Sequence, residues 1–296
     1  MSPVLVTGAG GFVGTHLVSH LRAVGEDVVG IDRDVEITDR AALGRAIPED
    51  CSAIVHLAGL SHVGESFGDP LGFSRVNAGG TAALLAAAAD AAPEATVLVI
   101  SSSDVYGIVD ADEMPLVETH PVRPVSPYAR SKVEAEQIAL RAAERGQRVI
   151  VVRPFAHVGP GQSDRFVVPA MARRLLAARR EGRREIPVGN VHVRRDLSDV
   201  RDVVRAYELL LRHGQPGSTY HVCSGLDVEI ADVARLLAAR LAPGVGLRVE
   251  PSLVRPVEVP VLRGSFERLH EATGWEPSIP LEKTLDDVAA WVEGNT

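Results

Sequence analysis

Tyr128 and Lys132 stand four residues apart in the stretch "SPYARSK", Ser126 to Lys132. Ser126 suits the N-cap of a helix and Pro127 its first position, so a helix begins here. On that helix the phenol and the ammonium share one face. A carbonyl that accepts a hydride also needs a proton for its oxygen, and a phenol can supply one. At its usual pKa near 10 a phenol exchanges protons poorly at neutral pH, and a neighbouring ammonium that favours phenolate lowers that value. Only two of the 31 basic residues are lysine, Lys132 and Lys283, so a lysine at this spacing stands out in a chain that otherwise uses arginine. "SSSDVYG", Ser101 to Gly107, adds hydroxyls at the end of an apolar run. Among them Ser102 is placed to hydrogen-bond and orient the reacting oxygen.

Such chemistry needs a hydride source, and the first residues provide a place for one. "VLVTGAGGFVGTHL" carries Gly8, Gly11 and Gly14 directly after a strand pattern and at the opening of a helix pattern. Glycines there permit a tight turn, close approach of the backbone to a pyrophosphate, and close packing of helix on strand. The helix N-terminus offers free amides to the phosphates. Gly8, Gly11, Phe12, Val13 and Gly14 are therefore read as a dinucleotide cradle. Asp32 ends the next strand 18 residues after Gly14, where a carboxylate accepts hydrogen bonds from the adenosine ribose. Its charge favours NAD, whereas Arg33 could pair with the 2′-phosphate of NADP, so both cofactors stay open. Lysine suits position 132 better than arginine, because its compact ammonium can also bond the nicotinamide ribose.

These side chains must be held by a scaffold, and the first half of the chain predicts one. Strand patterns at 3–7, 27–32, 53–58, 96–102 and 148–154 alternate with helical segments at about 12–24, 71–91 and 127–145. Nearly continuous apolar strands separated by helices imply an α/β fold, a doubly wound parallel sheet of Rossmann type, with ligands at the carboxyl ends of its strands. The second half is less regular. Helices are expected near 166–181, 199–213, 230–241, 265–273 and 281–293, with short strands near 186–188, 219–222 and 247–249. The proline-rich piece Pro251–Gly264 reads as an ordered extended loop. The expected organisation is a dinucleotide-binding domain at 1–155 plus about 191–222, interleaved with a smaller α/β substrate domain at 156–190 and 223–296.

With 39 acidic residues against 31 basic ones, the formal net charge is -8, which argues against a nucleic-acid or anionic-membrane surface. No apolar run reaches the roughly 18 residues of a membrane span. Cys51 and Cys223 have neither metal-ligand spacing nor a disulfide framework, and no metal is expected. With a first stretch that shows no charged leader and apolar signal core, a cytoplasmic protein is expected.

The glycine turn, Ser102, Tyr128 and Lys132 together resemble the extended short-chain dehydrogenase/reductase family, also called the NAD-dependent epimerase/dehydratase family, over nearly the whole length. That resemblance implies enzymes acting on nucleotide sugars. It implies Glu36 and Ile37 beside adenine, Leu57 and Ala58 lining the cofactor, Pro154 near the nicotinamide, and a structural role for Asn77. Downstream, "RPFAHVGPGQSDRFVVP", "VGNVHVRRDLSDVRDVVRAY" and "LVRPVEVPVLRG" look most like the branch that reduces GDP-6-deoxy-4-keto-mannose. The likeness implies that Arg195 and Arg255 grip the diphosphate, in keeping with bidentate guanidinium–phosphate bonding. It also implies that Ser103, Asp104, His157, Gln162 and Phe166 line the sugar and base pocket. A homodimer through helices near 75–91 and 127–145 follows from the same resemblance. Ala156 departs from the branch, which carries asparagine there, and so removes one polar contact worth roughly 0.5–1.5 kcal/mol. Glu36 replaces the usual aspartate.

Three reactions fit one Ser–Tyr–Lys arrangement: reduction at C4, 4-epimerisation on a retained cofactor, and 4,6-dehydration. Dehydration needs an extra acid–base group. Relatives that perform it place a glutamate two residues after the catalytic serine, where this chain has the shorter Asp104. Reduction of a nucleoside-diphosphate 4-keto-6-deoxyhexose is therefore expected, most simply GDP-4-keto-6-deoxy-D-mannose to a GDP-6-deoxyhexose such as GDP-D-rhamnose. A non-catalytic NAD(P) sensor is the rival of another class, and it has no need of the Tyr128–Lys132 pair.

Overall fold

The computed structural model describes residues 2–254 and 259–295. In the first half the chain runs β1 (Val4–Thr7), α1 (Phe12–Ala23), β2 (Val28–Ile31), α2 (Arg40–Ala46) and β3 (Ala53–His56). Next come α3 (Val63–Ser66), α4 (Pro70–Ser74), α5 (Gly80–Ala91), β4 (Thr96–Ile100), α6 (Pro127–Glu144) and β5 (Val149–Pro154). A π-helical turn, Arg75–Gly79, joins α4 to α5. The second half runs β6 (Ala156–Val158), α7 (Val167–Glu181), β7 (Glu185–Val188), β8 (Arg194–Asp199), α8 (Val200–His213), β9 (Thr219–Val222) and β10 (Asp227–Glu229). It ends with α9 (Ile230–Leu241), β11 (Gly246–Val249), β12 (Val261–Leu262), α10 (Glu267–Thr273) and α11 (Leu281–Gly294).

Six strands form one parallel sheet in the order β2-β1-β3-β4-β5-β9. Every residue of β1, β3 and β5 is buried, as a strand covered on both faces requires. One face packs Leu17 and Leu21 of α1 and Val203, Val204 and Leu210 of α8 against Val6, Leu98 and Ile150. The other packs Leu43 of α2, Leu84 and Leu85 of α5 and Ala139 of α6 against Leu5, Ile54 and Val151. This is the expected doubly wound sheet of Rossmann type. Strand order reverses at β1, which lies between β2 and β3, and the carboxyl ends of β1 and β3 therefore open a crevice.

A second layer was only partly legible. β8 pairs antiparallel with β10 and parallel with β6 and β12, and β7 pairs with β11. β6, β8, β10 and β12 escaped the sequence reading because strands of two to six residues carry too little alternation to register. Within the piece at about 191–222, β8 lies in this smaller sheet, while β9 lies in the large one. Pro251–Gly264 is not wholly loop, since Pro251–Leu253 is a 3-10 turn and β12 joins β8. The buried Asp196 carboxylate gathers this region. It accepts from the Ser224 amide (2.7 Å) and hydroxyl (2.6 Å), the Gly225 amide (3.0 Å) and the Gly264 amide (3.3 Å). Among the described residues no helix is long and apolar enough to cross a membrane, and no cluster of potential metal ligands occurs.

Candidate active site

The glycine turn leaves β1 at the strand-order reversal. Gly8 has φ +69°, a left-handed conformation that favours glycine. A Cβ on Gly14 would stand 2.1 Å from the Gly8 carbonyl oxygen, so only glycine lets α1 start this close to β1. Gly11 is the N-cap of α1, and no side chain caps it. Its first amides are thus offered to an anion at the crevice. Phe12 and Val13 are half-buried on the first turn. Asp32, exposed at the end of β2, reaches across to this turn, and a Cβ on Gly10 would lie 2.2 Å from its Oδ2. Sequence reasoning passed over Gly10, although "GAGG" contains it. This cradle fits a dinucleotide: a helix N-terminus with no side-chain cap, a turn in which Gly8, Gly10 and Gly11 carry no Cβ, and the Asp32 carboxylate beside Gly10.

Leu57 and Ala58 continue β3 along the crevice floor. The Thr7 hydroxyl accepts from the Ala58 amide (3.1 Å) and bonds His56 Nδ1 (2.9 Å). Burial drives His56 down to about 3, with the Lys132 charge adding to the effect, so this histidine is neutral. Glu36 is exposed and accepts from its own turn, from the Thr38 hydroxyl (2.8 Å) and amide (3.3 Å). Ile37 packs against Gly80 at the start of α5. Arg33 is exposed. Pro154, buried, ends β5.

Ser126 caps α6 as expected, accepting from the Ala129 amide (3.1 Å), and Pro127 takes the first turn. Tyr128 is 7% exposed with its ring edge-on to Phe73. Ser102 caps the 3-10 turn Ser103–Tyr106 by accepting from the Asp104 amide (3.2 Å). Burial first, and the Asp104 carboxylate second, push the Tyr128 phenol above its ordinary pKa, while a hydrogen bond with Ser102 opposes them. The structure thus unites Ser102, Asp104 and Tyr128, with Ser103 buried beside them.

Lys132 behaves differently from expectation. Its ammonium donates to the Ile100 carbonyl (2.8 Å) at the end of β4, and it is not the dominant influence on Tyr128. The phenol is therefore held protonated rather than drawn toward phenolate, because loss of water around it and the Asp104 charge both favour the neutral form. Burial pulls Lys132 down to about 8 against the opposing charge of Glu136. Asn77, buried in the π-helical turn, registers α6 against the loop after β3. Its side chain accepts from the Leu60 amide (2.8 Å) and donates to the Leu60 carbonyl (3.0 Å) and Ser131 Oγ (2.9 Å), between the two reactive residues.

On the far side of the crevice His157 stacks on Phe12, with centroids 6.1 Å apart and planes 9° apart, and donates from Nδ1 to the Phe155 carbonyl (3.0 Å). Gln162 is buried and donates to the His157 carbonyl (3.0 Å), so it braces the loop. Phe166 caps α7 and meets the His62 ring edge-on from the opposite wall, beside the Arg165–Glu65 ion pair. Arg195 lies half-buried on β8, with one of its guanidinium nitrogens donating to the Arg194 carbonyl (2.8 Å). Arg255 lies outside the described residues.

The reversed strand order and the glycine turn define the class, a Rossmann-type nucleotide-binding fold. The particular family follows from comparison. Residues 4–223 match the NAD dependent epimerase/dehydratase family, and the chain belongs to it. It is 39% identical over 287 residues to GDP-6-deoxy-D-mannose reductase of Pseudomonas aeruginosa, covering 95% of this chain and 94% of that protein. A solved structure of RMD from Pseudomonas aeruginosa complexed with NADPH superposes with a TM-score of 0.92 at 37% identity, covering 100% of each chain. GDP-6-deoxy-D-talose 4-dehydrogenase of Aggregatibacter actinomycetemcomitans is 29% identical, covering 92% of this chain and 91% of that protein.

Proposed function

We propose that this chain is an NAD(P)H-dependent 4-ketoreductase that converts GDP-4-keto-6-deoxy-D-mannose to a GDP-6-deoxyhexose such as GDP-D-rhamnose. The observation that carries the reading is the buried Tyr128 phenol placed beside Ser102 at the edge of a dinucleotide-binding sheet. A bound nicotinamide cofactor supplies the hydride. Ser102 donates a hydrogen bond to the C4 oxygen and orients the carbonyl. Tyr128 gives that oxygen its proton as negative charge develops on it. The Lys132 ammonium has three donors, one of which holds Ile100, leaving two for ribose hydroxyls and for stabilising the phenolate left after transfer. Asp104 and Ser103, with His157, Gln162 and Phe166 on the opposite wall, surround the sugar and base, and Arg195 and Arg255 hold the diphosphate. The 39% identity to a GDP-6-deoxy-D-mannose reductase supports this sugar over its talose counterpart at 29%.

The test is the absorbance of NADH and NADPH on mixing with GDP-4-keto-6-deoxymannose, followed by NMR of the product. Net oxidation of the cofactor with reduction of the carbonyl to a single C4 alcohol is expected. Binding without oxidation would favour a sensor, and C4 interconversion without net oxidation an epimerase. Either result overturns the reading.

Cofactor choice is tested at Asp32. Its carboxylate, with Asp34 bonded to its own amide (3.0 Å), opposes a 2′-phosphate, and Arg33 attracts one. Asp32→Ala is expected to raise the ratio of kcat/KM for NADPH over NADH about tenfold, equivalent to roughly 1.4 kcal/mol. Steady-state kinetics with both cofactors checks it. The same reading includes a cytoplasmic homodimer through α5 and α6. Leu71 on α4, packed beside α6, is 82% exposed and supports such an interface. Sedimentation gives the oligomeric state.

A further inference from the structure

The reduction described above leaves unused a run of buried polar side chains behind the Tyr128–Lys132 face. Glu136 follows Lys132 by one turn on α6 and is 3% exposed. Arg153 meets its carboxylate in a fork, Nε to Oε1 at 2.8 Å and Nη2 to Oε2 at 2.7 Å, and the Ser101 hydroxyl donates to Oε1 as well. Arg153 Nη1 continues to the Tyr106 hydroxyl (2.8 Å) and the Glu118 carbonyl (3.0 Å). His221 Nδ1 bonds the Ser265 carbonyl (3.2 Å), which only accepts, so Nε2 must accept the proton of Tyr106. Every bond in the run has a defined direction, from Ser101 at one end to the loop before α10 at the other.

The placement of this run is what matters. Lys132 bonds the Ile100 carbonyl, and Glu136, one turn later, bonds Ser101, the next residue of the same chain segment. These are two successive rungs between α6 and the carboxyl end of β4. Arg153, which locks the second rung, immediately precedes Pro154 at the end of β5. One ion pair therefore ties together three elements at the level where Ser102, Lys132 and Pro154 lie. Stability alone does not account for it, because a buried ion pair is commonly matched or exceeded by apolar residues of similar volume.

We propose that the Glu136–Arg153 pair is a positioning unit that holds the Lys132 ammonium in its working place and charge state. The proposal rests on the reductase reading for its consequence, but not for its geometry. Other ionisable groups in this region are Tyr128 on α6 and His56 on β3, while the Asp104 carboxylate after β4 acts on Tyr128. The π-helical turn packed on α6 presents the uncharged Asn77, and Glu134 faces outward to Ser74. His56 is neutral and Tyr128 protonated, so Glu136 is the carboxylate that supports the ammonium.

Because the chain contains only Lys132 and Lys283, protein labelled with 13C-lysine gives two side-chain signals, and Lys283 is the exposed one. Two variants are compared with the parent. Glu136→Gln removes the charge but keeps the shape, and Glu136→Leu combined with Arg153→Met removes both charges without leaving one uncompensated. In folded protein, verified by thermal unfolding, the Lys132 signal is expected to move and its titration midpoint to fall below that of the parent. Turnover is expected to fall about 10- to 100-fold while the Kd of NADH and the KM of the keto sugar stay within threefold. A Lys132 signal and midpoint unchanged in both variants would overturn the proposal whatever happens to turnover, since the loss would then be structural. A displaced Lys132 with full turnover would overturn it too. A parent without turnover sinks the reductase reading alone, and the lysine titration still judges the pair.

Discussion

Replacing Tyr128 by phenylalanine is expected to lower kcat/KM for the keto sugar about 10²–10⁴-fold, the usual contribution of a positioned proton donor. The change should leave the site otherwise intact. The ring is 7% exposed and packed edge-on against Phe73, and phenylalanine keeps that contact. Only the hydroxyl is lost, and with it the polar contact toward Ser102. NADH affinity, measured by fluorescence quenching, is expected to stay within a few-fold of the parent. Thermal unfolding should shift little, because phenylalanine fills the same buried ring site and only the hydroxyl is removed. Because burial holds this phenol above its ordinary pKa, it remains in the donating form across the neutral range, and the loss should be nearly independent of pH between 6 and 7. A Tyr128→Phe variant with parental turnover would remove the proton-transfer role and the mechanism with it.

The second large effect lies at Lys132, where pH gives the sign. Burial lowers this ammonium to about 8, well below the lysine reference, despite the favourable charge of Glu136. Turnover requires the charged form. The ammonium is therefore present below that value and is lost as pH rises through it. In the parent enzyme kcat/KM is expected to decline on an alkaline limb with a midpoint near 8. Lys132→Arg keeps its charge at any accessible pH, so that limb should disappear from its profile. Its plateau should still lie about 10²-fold or more below the parent, because a planar guanidinium cannot hold the Ile100 carbonyl and two ribose hydroxyls from one compact point. Lys132→Met should lose both the rate and the limb. A parent profile flat to pH 10 would show that the lysine charge does not matter to the reaction.

Much of the site was legible before any coordinates because its logic is local. Tyr128 and Lys132 need only helical spacing to share a face, and Ser126 and Pro127 announce where that helix begins. The glycine turn needs only a strand before it and a helix after it. The strands of the large sheet are apolar on both faces, so a few β-branched residues mark each one. The second layer lacked such marks. β12 has two residues, β6 and β10 three each, and their pairing with β8 joins chain segments up to 67 residues apart. Helix α2 was missed as well, although Asp39 caps it by accepting from two backbone amides.

What the sequence by itself determined, then, is the list of reacting groups and the turn and helix that carry them, since residues a few positions apart interact through fixed backbone geometry. The tertiary structure alone decided their protonation and their supports. Tyr128 sits above its ordinary pKa because several elements close around it, and no local pattern records how much water a fold will exclude. Glu136 finds Arg153 across 17 residues and Tyr106 finds His221 across 115, pairings that exist only once α6, β4, β5 and β9 have been brought side by side.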